Sequence, residues 1–141
     1  ITEIDMSNFD TSECTSMYSA FHDCVNLRKI IGLASFNTKN VNTLNETFAN
    51  CKSLLNLKDV EGWNVSNVTD MGNTFAECYE LRELNLSEWN VSRVSNMYGI
   101  FYYCSNLSNL DVSNWDLSNV KYTGGMFSDC PIEEKYKPKF K

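Results

Sequence analysis

Residues 81–104 read Leu81-Arg82-Glu83-Leu84-Asn85-Leu86-Ser87-Glu88-Trp89-Asn90-Val91-Ser92-Arg93-Val94-Ser95-Asn96-Met97-Tyr98-Gly99-Ile100-Phe101-Tyr102-Tyr103-Cys104, and this one stretch is a unit that recurs along the chain. Its closing cysteine has counterparts at Cys24, Cys51, Cys78 and Cys130, separated by 27, 27, 26 and 26 residues in chain order. Three places before each stands a Phe (Phe21, Phe48, Phe75, Phe101, Phe127). Fifteen places before stands a large aromatic (Phe9, Phe36, Trp63, Trp89, Trp115). Ten places before come Cys14, Val41, Val68, Val94 and Val120, and six places after come Ile30, Leu57, Leu84 and Leu110. A fixed period in this range is the signature of stacked repeats.

Within the unit, Leu84-Asn85-Leu86 alternates apolar and polar and reads as a short strand, with equivalents at Ile4-Asp5-Met6 and Leu110-Asp111-Val112. Val94, Met97, Phe101 and Cys104 step by three, four and three, which predicts one or two turns of helix with an apolar stripe. Neither piece can bury its apolar face alone, whereas stacking the units makes one continuous core. The two longer units carry their extra residue beside the strand, in Ile30–Leu33 and Leu57–Val60, where a bulge would absorb it. The repeat spans 1–130. After it, Pro131 and Glu133 break the pattern, and the polar segment 131–141, ending in Phe140 and Lys141, reads as a C-terminal cap or exit. The chain opens at Ile1, partway through a unit, so it reads as a piece of a longer chain with an open first coil. Open coil ends offer a route to dimers.

The motif Leu110-Asp111-Val112-Ser113-x-Trp115-Asp116-Leu117-Ser118-Asn119-Val120, followed by Gly125-Met126-Phe127-x-x-Cys130, resembles the BspA-like leucine-rich repeat surface proteins of mycoplasmas and Firmicutes. The resemblance runs over residues 1 to 130. It implies an α/β, right-handed leucine-rich repeat solenoid of about five coils with a short strand and a short helix in each. It also implies a secreted or cell-surface setting and adhesin-like binding of host or matrix proteins. It supplies no catalytic residue and no cofactor.

Composition narrows the function classes further. Twelve Lys and Arg against eighteen Asp and Glu give a net charge of −6, which argues against a phosphate-binding surface and so against nucleic acid. No apolar run approaches the roughly 20 residues of a membrane-spanning helix, so no membrane insertion is expected. The cysteines read as a ladder of buried, reduced thiols, with a Cys14–Cys24 bridge as the alternative. No C-x2-C pair exists to hold zinc. His22, the only histidine, lies two residues from Cys24, a spacing that separates the side chains on a helix, and it reads as a surface residue. The columns Asp10/Asn37/Asn64/Asn90/Asp116 and Ser12/Ser66/Ser92/Ser118 suggest corner side chains that satisfy turn backbone, rather than a Ca²⁺ site, for which the Gly-Asp loops are missing. Sequons at Asn45, Asn64, Asn67, Asn85, Asn90 and Asn106 follow from repeat copying of the Trp-Asn-Val-Ser type. None of this composes an active site, and the chain is read as a binding module, not an enzyme.

The residues between the buried leucines of each strand define the candidate partner face: Glu3, Asp5, Lys29, Asn56, Lys58, Glu83, Asn85, Asn109 and Asp111, with Ser7, Ser87 and Ser113 beside them. This strip is polar and mostly acidic. It is expected to bind a protein ligand by surface complementarity. A structural spacer in a longer surface protein is the rival reading. Glycan stacking on the aromatic file at Phe9, Phe36, Trp63, Trp89 and Trp115 is a third, should those rings prove exposed rather than core.

Overall fold

The computed structural model describes residues 1–139; the Phe140 and Lys141 end of the tail lies outside the described residues. The chain forms coils stacked in parallel, here numbered 1 to 5 by their closing residues Cys24, Cys51, Cys78, Cys104 and Cys130. Two short parallel sheets mark one side: β1 (Glu3–Asp5) pairs with β2 (Lys29–Ile31), and β3 (Glu83–Asn85) with β4 (Asn109–Asp111). The registers Ile4↔Ile30 and Leu84↔Leu110 bring equivalent residues of successive coils together. On the other side, single parallel bridges link Ser16, Thr43, Asp70, Asn96 and Tyr122 through all five coils.

Between these sides the side chains form files. Phe21, Phe48, Phe75, Phe101 and Phe127 stack face to face at centroid spacings of 5.5, 5.8, 5.7 and 5.8 Å. Trp63, Trp89 and Trp115 are buried beside them, and each indole N–H donates to a carbonyl of the preceding coil: Leu33, Val60 and Leu86, at 2.8, 3.0 and 2.9 Å. A buried Trp needs such a partner, and the stack provides one at every level. Those three indoles therefore offer no exposed face to a sugar ring. Phe9 alone in that file is exposed. All six cysteines are free thiols, and Cys51, Cys78 and Cys104 donate to the carbonyls of Phe21, Phe48 and Phe75 at 3.1, 3.3 and 3.0 Å. A small apolar residue with a weak donor fits that position. Burying a Phe or Leu in such a core stabilises by about 1.5–3 kcal/mol each.

The segment expected as helix is not helical. In 97–104, alternate N–H groups leave the coil: Met97, Gly99, Phe101 and Tyr103 donate to Tyr122, Gly124, Met126 and Ser128, while Ile100, Tyr102 and Cys104 bond three residues back. The result is a row of tight turns. Two residues per coil, four apart, carry positive φ: Ser19/Asp23, Glu46/Asn50, Asn73/Glu77, Gly99/Tyr103 and Gly125/Asp129. A right-handed helix cannot contain them, and the intercoil acceptors replace the i−4 carbonyls a helix would have used. Among the described residues the helices are all 3-10: Leu33–Ser35, Lys58–Gly62 and Glu134–Tyr136.

Those turns also correct the expected bulge. In coils 2 and 3 the extra residue is taken up by the 3-10 segments, which bury Leu33 and Val60. At the far end, the tail lies on coil 5. The Val112 N–H donates to the Tyr136 carbonyl at 2.9 Å, Ile132 and Pro138 are buried, and Lys137 Nζ sits 5.5 Å over the last ring of the Phe file.

Candidate functional site

Two Asx-turn columns shape the strand side. Asp5, Asn85 and Asp111, the last strand residues, each accept the N–H two residues on, from Ser7, Ser87 and Ser113, at 2.9, 3.0 and 3.0 Å. The same oxygens take the hydroxyls of those serines. These contacts hold the Asp5 and Asp111 carboxyls below their ordinary range, the Ser hydroxyl contributing most and the Ser N–H next. A second column does the same at the next corner, where Asp10, Asn37, Asn64, Asn90 and Asp116 accept the N–H groups of Ser12, Lys39, Ser66, Ser92 and Ser118 at 2.9–3.2 Å. Asn and Asp recur because they end a strand or turn a corner while satisfying its backbone.

Coil 3 breaks the rhythm. There the Asx turn comes early: Asn56, at the register of Glu83, accepts the Lys58 N–H at 3.3 Å and turns the chain into the 3-10 segment Lys58–Gly62. Coil 3 thus contributes no strand, and the two sheets stay separate. The edge of β3 that faces coil 3 loses a ladder partner, and a side chain takes the place: the Asn85 N–H donates to Glu61 Oε2 at 2.9 Å. Asn85 is exposed, so the carboxylate does not rescue a buried donor but occupies the open β3 edge that another strand could otherwise pair with.

At this break lies a groove of about 490 Å³ lined by Asn56, Lys58, Glu61, Glu83, Leu84, Asn85, Ser87, Asn109 and Asp111. Leu84 is the apolar floor, and the rest are polar. Six of the nine residues assigned to the partner face by sequence therefore converge here. Glu3, Asp5 and Lys29 belong to the β1–β2 sheet and do not line the groove. The strand pattern does not place Glu61 on this face, because it follows the strand position and reaches the site only through the coil 3 turn. The only sequence signal bearing on it, the 27-residue length of its coil, reads as a strand bulge and does not single out Glu61.

The groove's charges are not neutralised locally. Among the described residues no Lys, Arg or His lies within ion-pair distance of Glu61, Glu83 or Asp111, and Lys58 has no carboxylate partner. The site presents three carboxylates and one ammonium on a fixed frame. Five side chains there have structural duties: Asn56, Asn85 and Asp111 in their turns, Ser87 with its hydroxyl on Asn85, and Glu61 on the β3 edge. Lys58, Glu83 and Asn109 have side chains with no such duty in the groove. The other conspicuous titratable cluster is at coil 1, where exposed His22 places Nε2 3.4 Å from Asp23 Oδ1 and 3.3 Å from Glu46 Oε2, and Asp23 also accepts from Asn50 Nδ2 at 2.7 Å. Its imidazole therefore lies against carboxylates of coils 1 and 2, and no contact with Cys24 is seen among the described residues.

No helix among the described residues is long and apolar enough to cross a membrane. The chain matches, over residues 2–57 and again over 45–132, the family described as Mycoplasma protein of unknown function, DUF285. No curated protein and no solved structure matches it.

Proposed function

We propose, for a chain that belongs to the Mycoplasma protein family of unknown function DUF285, that it is an extracellular recognition module. In this reading it is a right-handed leucine-rich repeat solenoid of the BspA type that binds a protein ligand along its strand side and performs no covalent chemistry. The observation that carries the reading is the 490 Å³ groove at the break between β2 and β3, whose charged side chains have no partners of opposite sign among the described residues. Unpaired charge on a rigid surface costs little in water and gains when a complementary partner is docked, so such groups serve specificity and encounter rate. Repeat frames commonly use their extended faces this way, each coil adding a few side chains.

The test removes only the groove side chains that carry no structural duty. Candidate extracellular host or matrix proteins are passed over the immobilised chain, and bound ones are identified and titrated. The triple variant Lys58→Ala, Glu83→Ala, Asn109→Ala should lose binding by tenfold or more with its melting temperature nearly unchanged. Equal binding by the triple variant sinks the groove assignment. No saturable binding to any partner leaves the chain a spacer.

A further inference from the structure

A second recess lies where the coils close on their cysteines, and it shares no residue with the strand-side groove. Tyr79, Tyr103, Ser105, Asp129, Cys130 and Pro131 line it, a shallow depression of about 610 Å³ that is widely open to solvent. The register explains the grouping: Tyr79 follows Cys78, Tyr103 precedes Cys104, and Asp129 precedes Cys130. Tyr103 and Asp129 both adopt positive φ, at 55° each, and both are exposed. The Tyr102 ring stacks on Tyr103 at 4.3 Å and braces it.

The polar groups of this corner already have partners. Tyr79 Oη donates to Glu77 Oε2 at 3.2 Å. The phenol of Tyr103 faces the Tyr102 hydroxyl and the Asp129 carboxylate, which together hold its pKa above the ordinary tyrosine value. What remains open is ring surface, the apolar edge of Cys130 and Pro131, and the negative charge of Glu77 and Asp129. Neither acid has a cation within ion-pair distance among the described residues. The Tyr79 ring already attracts a cation of the chain: Lys52, which does not line the recess, places Nζ 5.9 Å from its centroid.

We propose that this corner binds a quaternary ammonium ion, held against the faces of Tyr79 and Tyr103 beside the Asp129 carboxylate. A primary ammonium brings three N–H donors that must find acceptors, and the phenols and carboxylates here are partly committed to one another. A sugar would likewise need free donors and acceptors at its hydroxyls. A quaternary ammonium has a methyl skin and no hydrogen bond to satisfy. It needs aromatic faces and nearby negative charge, as in the aromatic cages that recognise choline and methylated lysine.

The probe is choline chloride, titrated into the ¹⁵N-labelled protein and followed by amide chemical shifts, with sodium chloride and methylammonium chloride as controls. Saturable shifts at Tyr79, Tyr103, Ser105 and Asp129 are expected, with methylammonium binding more weakly than choline. Tyr103→Leu and Asp129→Asn should each weaken choline binding about fivefold, the scale of one lost cation–π or charge contact. The strand-side variants Lys58→Ala and Glu83→Ala should leave it unchanged, so this site stands or falls separately from the groove. Should Tyr103→Leu disturb the fold, seen as loss of the tryptophan near-ultraviolet dichroism, Asp129→Asn decides, since Asn tolerates the left-handed backbone there. Co-sedimentation with phosphatidylcholine vesicles would assign a lipid headgroup as the source. Choline binding without it would assign a free or protein-borne cation. Non-saturating shifts, shifts elsewhere, equal affinity for methylammonium, or indifference to both variants each overturn the proposal.

Discussion

Replacing Phe75 by Ala tests whether the Phe file is a nearest-neighbour column. Phe75 is fully buried, flanked by Phe48 at 5.8 Å and Phe101 at 5.7 Å, with Trp89 at 6.0 Å. Truncating a core Phe costs about 3–5 kcal/mol through lost transfer energy and the cavity left behind. The upper half of that range applies, because rings of fixed spacing on both faces prevent the cavity from collapsing. Phe127, at the end of the file, is half-buried, with one aromatic neighbour among the described residues, Phe101 at 5.8 Å, and the Lys137 ammonium at 5.5 Å. Its truncation should cost about 1–2 kcal/mol, since much of its surface is already wet. Leu at position 75 keeps most of the apolar volume and removes the ring contacts, at about 0.5–1.5 kcal/mol per pair, and should fall between the two.

Urea unfolding followed by tryptophan fluorescence and far-ultraviolet dichroism gives the three costs. At an m-value of about 2 kcal/mol/M, Phe75→Ala should lower the midpoint by roughly 2 M and Phe127→Ala by under 1 M, with m unchanged. A total stability of about 5–15 kcal/mol leaves the Leu variant folded even if the Ala variant is not. If Phe127→Ala costs as much as Phe75→Ala, or Phe75→Leu costs nothing, the rings do not act as a column and the reasoning fails.

Other expectations concern backbone and thiols. Gly32 has φ +95°, and a Cβ there would stand 2.5 Å from the Ser7 backbone, so Gly32→Ala should cost more than about 2 kcal/mol. Gly62→Ala meets nothing within 4 Å and should be neutral within about 1 kcal/mol, both read from thermal melts. Burial pushes the Cys51 thiol up to about 12 and Cys130 up to about 11, and holds Cys78 and Cys104 well above the usual 9.0. Because these folded-state values exceed the unfolded ones, the stability they contribute is fully present below pH about 8.5 and is lost as pH rises toward the folded values. Urea midpoints should therefore fall between pH 9 and 11, and a Cys51→Ala variant should show a shallower fall. In native protein at pH 8, an aromatic disulfide reagent should leave Cys51, Cys78 and Cys104 unmodified, and all six thiols should react once the chain is unfolded. Glu61→Ala should accelerate exchange of the Asn85 amide hydrogen, while Glu61→Gln, which keeps an acceptor, should accelerate it less. Equal protection in both variants would mean that Glu61 does not hold the β3 edge.

What could be read directly from the chain was whatever repeats once per coil. The Phe spacing placed five rings in one file, and the Asn and Asp columns announced corners that satisfy their own backbone. The helix was misread because Val94, Met97, Phe101 and Cys104 have helical spacing, yet in a stack the same side chains can point inward from a row of turns. Residues such as Asn50, Asn73, Gly99 and Gly125 carried the contrary signal, since Asn and Gly favour the left-handed conformation that ends a helix. The groove was only partly legible. Its walls come from repeat positions, but its shape comes from Asn56 turning the chain early, an event in one coil that a consensus averages away.

The same early turn explains why the groove sits where it does and not along the whole strand side. A continuous ladder through coil 3 would have met the β3 amides on that side, Asn85 among them, with backbone carbonyls and carried the strand positions evenly past Leu57. With the chain diverted at Asn56, Glu61 swings in to hold the Asn85 N–H at 2.9 Å, which brings a third carboxylate to the face already bearing Glu83 and Asp111. The diversion is affordable because the core side does not notice it: Leu57 and Val60 remain buried on the file, at 2% and 0% exposure. The departure in coil 3 thus gathers three carboxylates and one ammonium at one point of the strand side, while the apolar files that hold the coils together run through it without a gap.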